Sequence, residues 1–340
     1  MIVHEVLRRV RGRAARLLPR AGVAFALLVA LHLGVFPGAT STATKVASPV
    51  ARPVASPEWQ ELEAAVARVG AEFRGALHVY VEDLQTGRTI ALGERDAVPA
   101  ASLIKLPLAV ALFEQRLAGR ISLDDKKVLK TSDKAAGSGV LRRSRSGTTL
   151  TVRALLELML QKSDNTATNM LTDLLGLEQI NDSCRRQGLA VTCMPRYIMD
   201  LKSRDRAIEN FTSAADMARA LKALYTRSVL DGPSCDLLLE ILKGQQVRDR
   251  LPRYLPRDVV LAHKTGLMND VCHDAGILYG RNHDYVVAVL TADFPSFTQA
   301  KRAIGKIGQL VYRYDRGEAL SPPPAPPRKP AARTTASRSR

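Results

Sequence analysis

What this chain lacks narrows its chemistry first. Its six histidines, His4, His32, His78, His263, His273 and His283, form no H-x-H or H-E-x-x-H pattern, so zinc-hydrolase chemistry has no ligand set at workable spacing. Its four cysteines, Cys184, Cys193, Cys235 and Cys272, include no C-x-x-C, which removes zinc-ribbon and thioredoxin-like sites. Aromatic residues are only 5% of the chain, and no arginine-rich face alternates with them. The usual footprint for nucleic acid is therefore missing, although the net charge is +17. There is no internal repeat. No metal, no cofactor and no nucleic acid is expected.

The charge is explained by where it lies. Residues 1–56 hold eight Lys/Arg and one Glu, and 321–340 hold five Lys/Arg and no acid, leaving +5 for 57–320. Arg8, Arg9, Arg11, Arg13, Arg16 and Arg20 precede an apolar stretch, Ala21 to Phe36, broken only by His32. Ser41-Thr42-Ala43 follows with small residues at cleavage positions, so 1–43 reads as an export signal. The stretch is short for a spanning helix, which needs about 20 apolar residues. An uncleaved membrane anchor is the alternative, and Arg8-Arg9 also fits a twin-arginine leader. The expected location is periplasmic or extracellular. Residues 44–57, rich in Ala, Ser, Thr, Pro and Val, read as a flexible linker, and 317–340, rich in Pro and Arg, as a disordered or polyproline-like tail. The folded body is expected over 58–316, as a monomer. An exported chain with an even cysteine count leaves two outcomes open: Cys184–Cys193 with Cys235–Cys272 as the preferred disulfides, or four buried thiols.

The 46% hydrophobic content can bury one large core or two small ones. Hydrophobic spacing predicts a helix over Pro57–Phe73, strands at Leu77–Val81 and Thr89–Leu92, then a helical block: Leu103–Leu117, Val152–Gln161, Thr166–Leu175, Leu177–Arg186, Ala214–Thr226 and Cys235–Leu242. Strands return at Val259–His263, Val271–Tyr279 and Tyr285–Thr291, before a helix over Thr298–Tyr314. Strands near both ends with helices between them imply an α+β fold: an antiparallel sheet built from both chain ends, flanked by helices, with a helical subdomain from the middle.

Three short motifs carry chemistry. Ser102-Leu103-Ile104-Lys105 is S-x-x-K; on a helix, residues three apart share a face, so an amine can reach a hydroxyl. Serine needs such a base to become a nucleophile, and lysine serves only if burial and nearby positive charge depress its pKa. Pro107 places the helix start near Ser102. Ser163-Asp164-Asn165 falls between two predicted helices, where it could display polar groups into a cleft or simply cap a helix. Lys264-Thr265-Gly266 closes the predicted strand Val259–His263. There it could offer a cation and a hydroxyl to a substrate carboxylate, with Gly266 admitting close backbone approach, or form an ordinary turn.

Taken together in this order, the three motifs strongly resemble those of the class A β-lactamase-like serine hydrolases, the β-lactamase and penicillin-binding protein superfamily. The resemblance spans roughly Trp59 to Tyr314, and Phe211–Met217 and Val271–Ile277 also look like family segments. It implies that Ser102 forms an acyl-enzyme with Lys105 as base, that Ser163 relays a proton to the leaving nitrogen, and that Asn165 holds the substrate's side-chain amide. Lys264 and Thr265 would grip the carboxylate, and the backbone N–H groups of Ser102 and Leu267 would form the oxyanion hole. The implied substrate is a β-lactam, alternatively a peptidoglycan stem peptide cut by a D,D-peptidase; a weakly active wall-binding or sensor module is a further alternative. One element departs from the family. Class A enzymes activate the deacylating water with a glutamate in an E-x-x-L-N pattern roughly 35 residues beyond the S-D-N serine. This sequence has none. Asp200 stands near that place, one methylene shorter, as candidate base or as a loop carboxylate paired with Arg196 or Arg204; Asp205 and Glu209 follow.

Overall fold

The computed structural model describes residues 56–320. The expected leader, the linker up to residue 55 and the tail from 321 lie outside the described residues. Five strands form one antiparallel sheet in the order β2-β1-β9-β8-β7, with β1 at Ala76–Asp83, β2 at Thr89–Leu92, β7 at Leu261–Leu267, β8 at Val271–Tyr279 and β9 at Asp284–Ala292. Strands from both chain ends meet where β1 pairs β9, with Val79 opposite Val289. The α+β expectation holds.

Side-chain alternation along these strands builds two cores. On β9, Val286, Ala288 and Leu290 face one cluster while Tyr285, Val287 and Val289 face the other. A sheet covered on both faces needs apolar residues at successive positions, which is why β9 reads as a nearly unbroken run. The terminal helices α1 (Pro57–Glu72) and α9 (Phe297–Asp315) cover one face, where Trp59 meets Tyr314 edge-on at 5.4 Å. Leu320, 6% exposed, still belongs to this core.

The helical block covers the other face. Its axis is α2 (Lys105–Leu117), buried without interruption from Lys105 to Phe113, because Leu106 to Phe113 is apolar all the way round. Around it stand α3 (Val152–Gln161), α4 (Asn165–Leu175), α5 (Leu177–Arg186), a short α6 (Leu201–Asp205), α7 (Ala214–Tyr225) and α8 (Gly232–Lys243). Two short strand pairs remain: β3 (Val98–Pro99) pairs β6 (Phe211–Thr212), and β4 (Lys126–Val128) pairs β5 (Thr149–Thr151).

Two expectations change. The preferred disulfides are not made: all four cysteines are free thiols, three buried and Cys193 half-buried. Cys235 and Cys272 cannot pair because they sit in the separate cores on opposite sides of the sheet. Cys184 turns into the helical core, where burial pushes its thiol up to about 12. The second change is at β7, which begins later than predicted and runs through Leu267, so Lys264-Thr265-Gly266 lies within a strand rather than after one.

The S-D-N turn ties the block together through Asp164. Its fully buried carboxylate caps α4 by accepting from Ala167 N at 2.9 Å, and also accepts from Val140 N at 2.6 Å and Leu141 N at 2.9 Å. Gly139 packs so close that an added Cβ would lie 2.2 Å from Asp164 Oδ2. Removing an acceptor that serves three backbone donors, two of them buried, leaves those two without partners. Asp164→Ala should therefore lose about 3 kcal/mol of stability. Urea unfolding checks this; a loss under 1 kcal/mol would show that the cap is dispensable.

Candidate active site

The nucleophile candidate does not sit on the α-helix itself. Ser102 lies in a 3₁₀ turn, Ala101–Ile104, and the α-helix starts at Lys105. Ala101 has φ +46°, a left-handed conformation that a residue with a side chain adopts only when its surroundings enforce it. Those surroundings are visible. Ala100 N donates to Asn210 O at 2.7 Å, and His273 Nε2 bonds Pro99 O at 2.9 Å. Gly266 completes the clamp: a Cβ there would lie 3.3 Å from Ala101 Cβ and 3.1 Å from His273 Cδ2. The expected use of Gly266, close approach of ligand, is thus accompanied by a nearer one, close approach of β7 to the serine turn.

Lys105 is fully buried, and its amine donates to Ser163 O at 2.7 Å, Asn165 Oδ1 at 2.8 Å and Ser163 Oγ at 3.2 Å. Among the described residues no hydrogen bond joins it to the Ser102 hydroxyl. Burial first, then the positive charge of Lys264, holds Lys105 well below the ordinary lysine range, against a smaller opposing pull from Asp164. Lys264 is also fully buried and donates to Ser163 Oγ at 3.0 Å and Thr265 O at 2.8 Å. Burial, then the Arg250 guanidinium, lowers Lys264 to about 7, with Asp274 opposing.

Ser163 therefore stands between two lysines. A hydroxyl has two acceptor lone pairs and one proton. While both amines donate to it, its O–H is left to donate to a third partner; once Lys105 is neutral and its two N–H groups serve Ser163 O and Asn165 Oδ1, one lone pair of Ser163 Oγ is freed. Ser163 holds φ +54°, a second left-handed residue in the site. Asn165 is fixed at both ends of its amide, accepting from Lys105 and donating from Nδ2 to Ala136 O at 2.8 Å. All six of Ser102, Lys105, Ser163, Asn165, Lys264 and Thr265 meet where α2, the S-D-N turn and β7 converge. Leu267 ends β7 and lines the same hollow, of about 260 Å³, as Ser102 and Asn165.

Asp200 is not brought to Ser102. It caps α6, accepting from Ser203 N at 3.0 Å and Ser203 Oγ at 2.5 Å, and it does not line the Ser102 cavity. The Ser203 hydrogen bonds hold its carboxyl below the usual range, which makes it a weaker base. Arg196 and Arg204 do not pair with Asp200 either; both bind Glu209, whose side chain is 10% exposed in the cavity wall. The loop residues that face the cavity nearest α4 are Ile198 and Met199. Ile198 is pinned by Asn169, which donates from Nδ2 to Ile198 O at 3.0 Å and accepts from Ile198 N at 3.1 Å.

Comparison with known proteins decides the family. The sequence model of the "Beta-lactamase enzyme family" matches residues 61–314. The chain belongs to the β-lactamase enzyme family. A β-lactamase of Streptomyces fradiae is 31% identical over 221 residues, covering 62% of this chain and 68% of the relative. One from Phocaeicola vulgatus is 28% identical, with 66% and 75% covered. Among solved structures, a β-lactamase from Sphaerobacter thermophilus has TM-score 0.71 and 32% identity, covering 78% of this chain and 99% of its own. PBP-A has TM-score 0.70 and 27% identity, with 75% and 96% covered. The chain is thus a class A-like serine hydrolase in fold and family.

Sequence reasoning passed over three residues of this site. Arg250, 3% exposed, sets the charge beside Lys264; only its place in a basic chain could have flagged it. Asn169, four residues after Asn165, shares its helix face and was readable from spacing alone. His273, a family-like segment member given no chemistry, buttresses the serine turn. Its ring is neutral, since burial lowers it to about 4. Because the unfolded chain protonates this histidine near 6.5 and the folded chain only near 4, unfolding takes up a proton between those values. Stability should fall by about 3 kcal/mol from this residue alone as pH drops from 6.5 to 4. Urea unfolding at pH 7 and 4.5 should show a smaller drop for His273→Gln; identical drops would mean that the ring is not held neutral.

Proposed function

We propose that the protein opens β-lactam amides through an ester on Ser102, and that release of this ester is its slow step. The observation that carries the reading is Ser163, bonded at once to two buried lysines beside Ser102. Neutral Lys105 takes the Ser102 proton as Oγ attacks the lactam carbonyl. The C–N bond then breaks, and Ser163 hands a proton to the leaving nitrogen while Lys105 replenishes it. Lys264, as ammonium, and the Thr265 hydroxyl hold the carboxylate. The backbone N–H groups of Ser102 and Leu267 take the developing oxyanion. Relatives named β-lactamase support the substrate class. The leader over 1–43 supports export, cleaved near Thr44 or retained as an anchor, and the chain is read as a monomer.

Slow release follows from the cavity wall. Deacylation needs a base within hydrogen-bond reach of a water at the ester, directly or through one more water. The loop residues that line the cavity include Ile198 and Met199. Asp200 is engaged by Ser203 and Glu209 by two arginines.

Intact-mass measurement over time with benzylpenicillin tests both parts. The wild type should gain one penicillin mass on Ser102 within seconds to minutes and lose it more slowly, and Ser102→Ala should gain none. Ile198→Glu, placed on a backbone that Asn169 already fixes, should speed release by roughly 10²-fold or more, while Ile198→Gln should not. Labelling of Ser102→Ala would overturn the nucleophile. An adduct that never leaves would overturn the hydrolase reading.

A further inference from the structure

The positive charge of the body is concentrated in one stretch. Residues 126–150 hold seven Lys/Arg against one Asp, whereas the rest of 57–320 holds 30 Lys/Arg against 31 Asp/Glu. Asp124 and Asp125 stand just before it, and Asp125 accepts from Ser122 N at 2.9 Å. Among the described residues, Lys126, Lys130, Arg142, Arg143 and Arg145 are exposed and in no ion pair. Arg153, just beyond them, pairs Glu157 at 3.0 Å.

The backbone gathers these cations. β4 and β5 set Lys126 opposite Thr151, Lys127 opposite Leu150 and Val128 opposite Thr149. Opposed residues of a ladder share a face. Leu150 packs against the core of the helical block, so the Lys127–Leu150 face turns inward, and Lys126 and Val128 turn outward. The two arms stay joined past the strands. Leu129 N donates to Thr148 O at 2.9 Å, Gly147 N donates to Leu129 O at 2.8 Å, and Thr131 Oγ1 lies 3.0 Å from Ser146 Oγ. Leu129 is fully buried, which leaves Lys130 outward on one arm, with Arg145 beside Ser146 on the other. Arg142 and Arg143 follow the buried Leu141 in a 3₁₀ turn of the same stretch. Val128, 52% exposed, thus stands between two outward lysines.

We propose that this face is a docking surface for a membrane of anionic phospholipid. Cations held by a fixed backbone suit a dense array of phosphates, and each Lys/Arg near such a surface raises affinity about fivefold. The exposed valine suits lipid better than a soluble polyanion. Its aliphatic side chain enters the headgroup boundary while the lysine stems beside it reach back to the phosphates. Nucleic acid is not matched, since 126–150 contains no aromatic residue on which a base could stack. The inference goes beyond the hydrolase reading and does not rest on it, because neither Ser102 nor either buried lysine takes part.

The test reads the patch itself in the full chain, because the basic leader and tail bring charge of their own. Val128→Trp reports its surroundings against the constant background of Trp59, the chain's one tryptophan, which is buried. Its fluorescence should shift to the blue with vesicles of phosphatidylglycerol and phosphatidylcholine in equal parts, and not with phosphatidylcholine alone. Glu63→Trp, at an exposed position of α1 across the sheet from the helical block, should shift with neither. Adding Lys130→Gln and Arg143→Gln to Val128→Trp should weaken vesicle affinity by about 25-fold. Potassium chloride at about 0.5 M should abolish the shift. No shift from Val128→Trp with phosphatidylglycerol vesicles, whether or not the protein sediments with them, would overturn the proposal. So would an equal shift with phosphatidylcholine alone. A response to soluble polyphosphate that the vesicles do not give would assign the patch to a polymer and overturn the membrane reading.

Discussion

The site depends on a lysine amine taken out of water. Lys105 has no exposed surface and lies at the head of the most deeply buried helix among the described residues. A buried ammonium is costly unless its hydrogens are all satisfied, and burial otherwise favours the neutral amine. The structure meets both conditions with the same atoms. Ser163 O and Asn165 Oδ1 take the two shortest contacts, and those suffice for a neutral amine's two N–H groups. The remaining lone pair is then available as a base. Lys264, the second buried amine, pushes Lys105 further toward that neutral form.

Much of the surrounding architecture serves to hold this arrangement. Asp164 fixes the S-D-N turn from beneath by serving three backbone donors. His273 and Gly266 hold the Ser102 turn against β7 and with it the left-handed Ala101. Two left-handed residues, Ala101 and Met199, line one cavity, and a third, Ser163, lies next to Lys105 and Lys264. Strain of this kind persists only where neighbours over-determine the backbone. The helical block and the sheet supply those neighbours from opposite sides, so fold stability and site geometry are not separable here.

The sequence made the scaffold legible wherever a period ran long enough. The helices from Val152 to Gln161 and Leu177 to Arg186, and the strand from Val271 to Tyr279, fall at their predicted bounds. Boundaries failed where chemistry, not hydrophobicity, sets the backbone. The 3₁₀ turn at Ser102 and the extension of β7 through Lys264-Thr265-Gly266 are both parts of the site, and polar motif residues there break the apolar pattern that marks an element. The three motifs converge as their order implied. Distances along the chain could not reveal that Asp200 caps a helix, since a carboxylate three residues before a backbone N–H fits a cap as well as a catalytic role. Nor could cysteine counting assign Cys235 and Cys272 to different cores.

Two lysines with opposite requirements leave one signature. Lys105 works as a base only when neutral, whereas Lys264 binds a carboxylate only when charged, and Lys264 is lowered to about 7. The second-order rate constant for Ser102 acylation reports groups of the free enzyme, so its pH dependence with benzylpenicillin is the most direct test. The rate constant should fall as pH rises through about 7, the value at which Lys264 loses its proton, and Lys264→Ala should be slower but lack that falling limb. A wild-type rate constant still climbing at pH 9 would contradict the account, because it would mean that Lys264 stays charged or takes no part in binding.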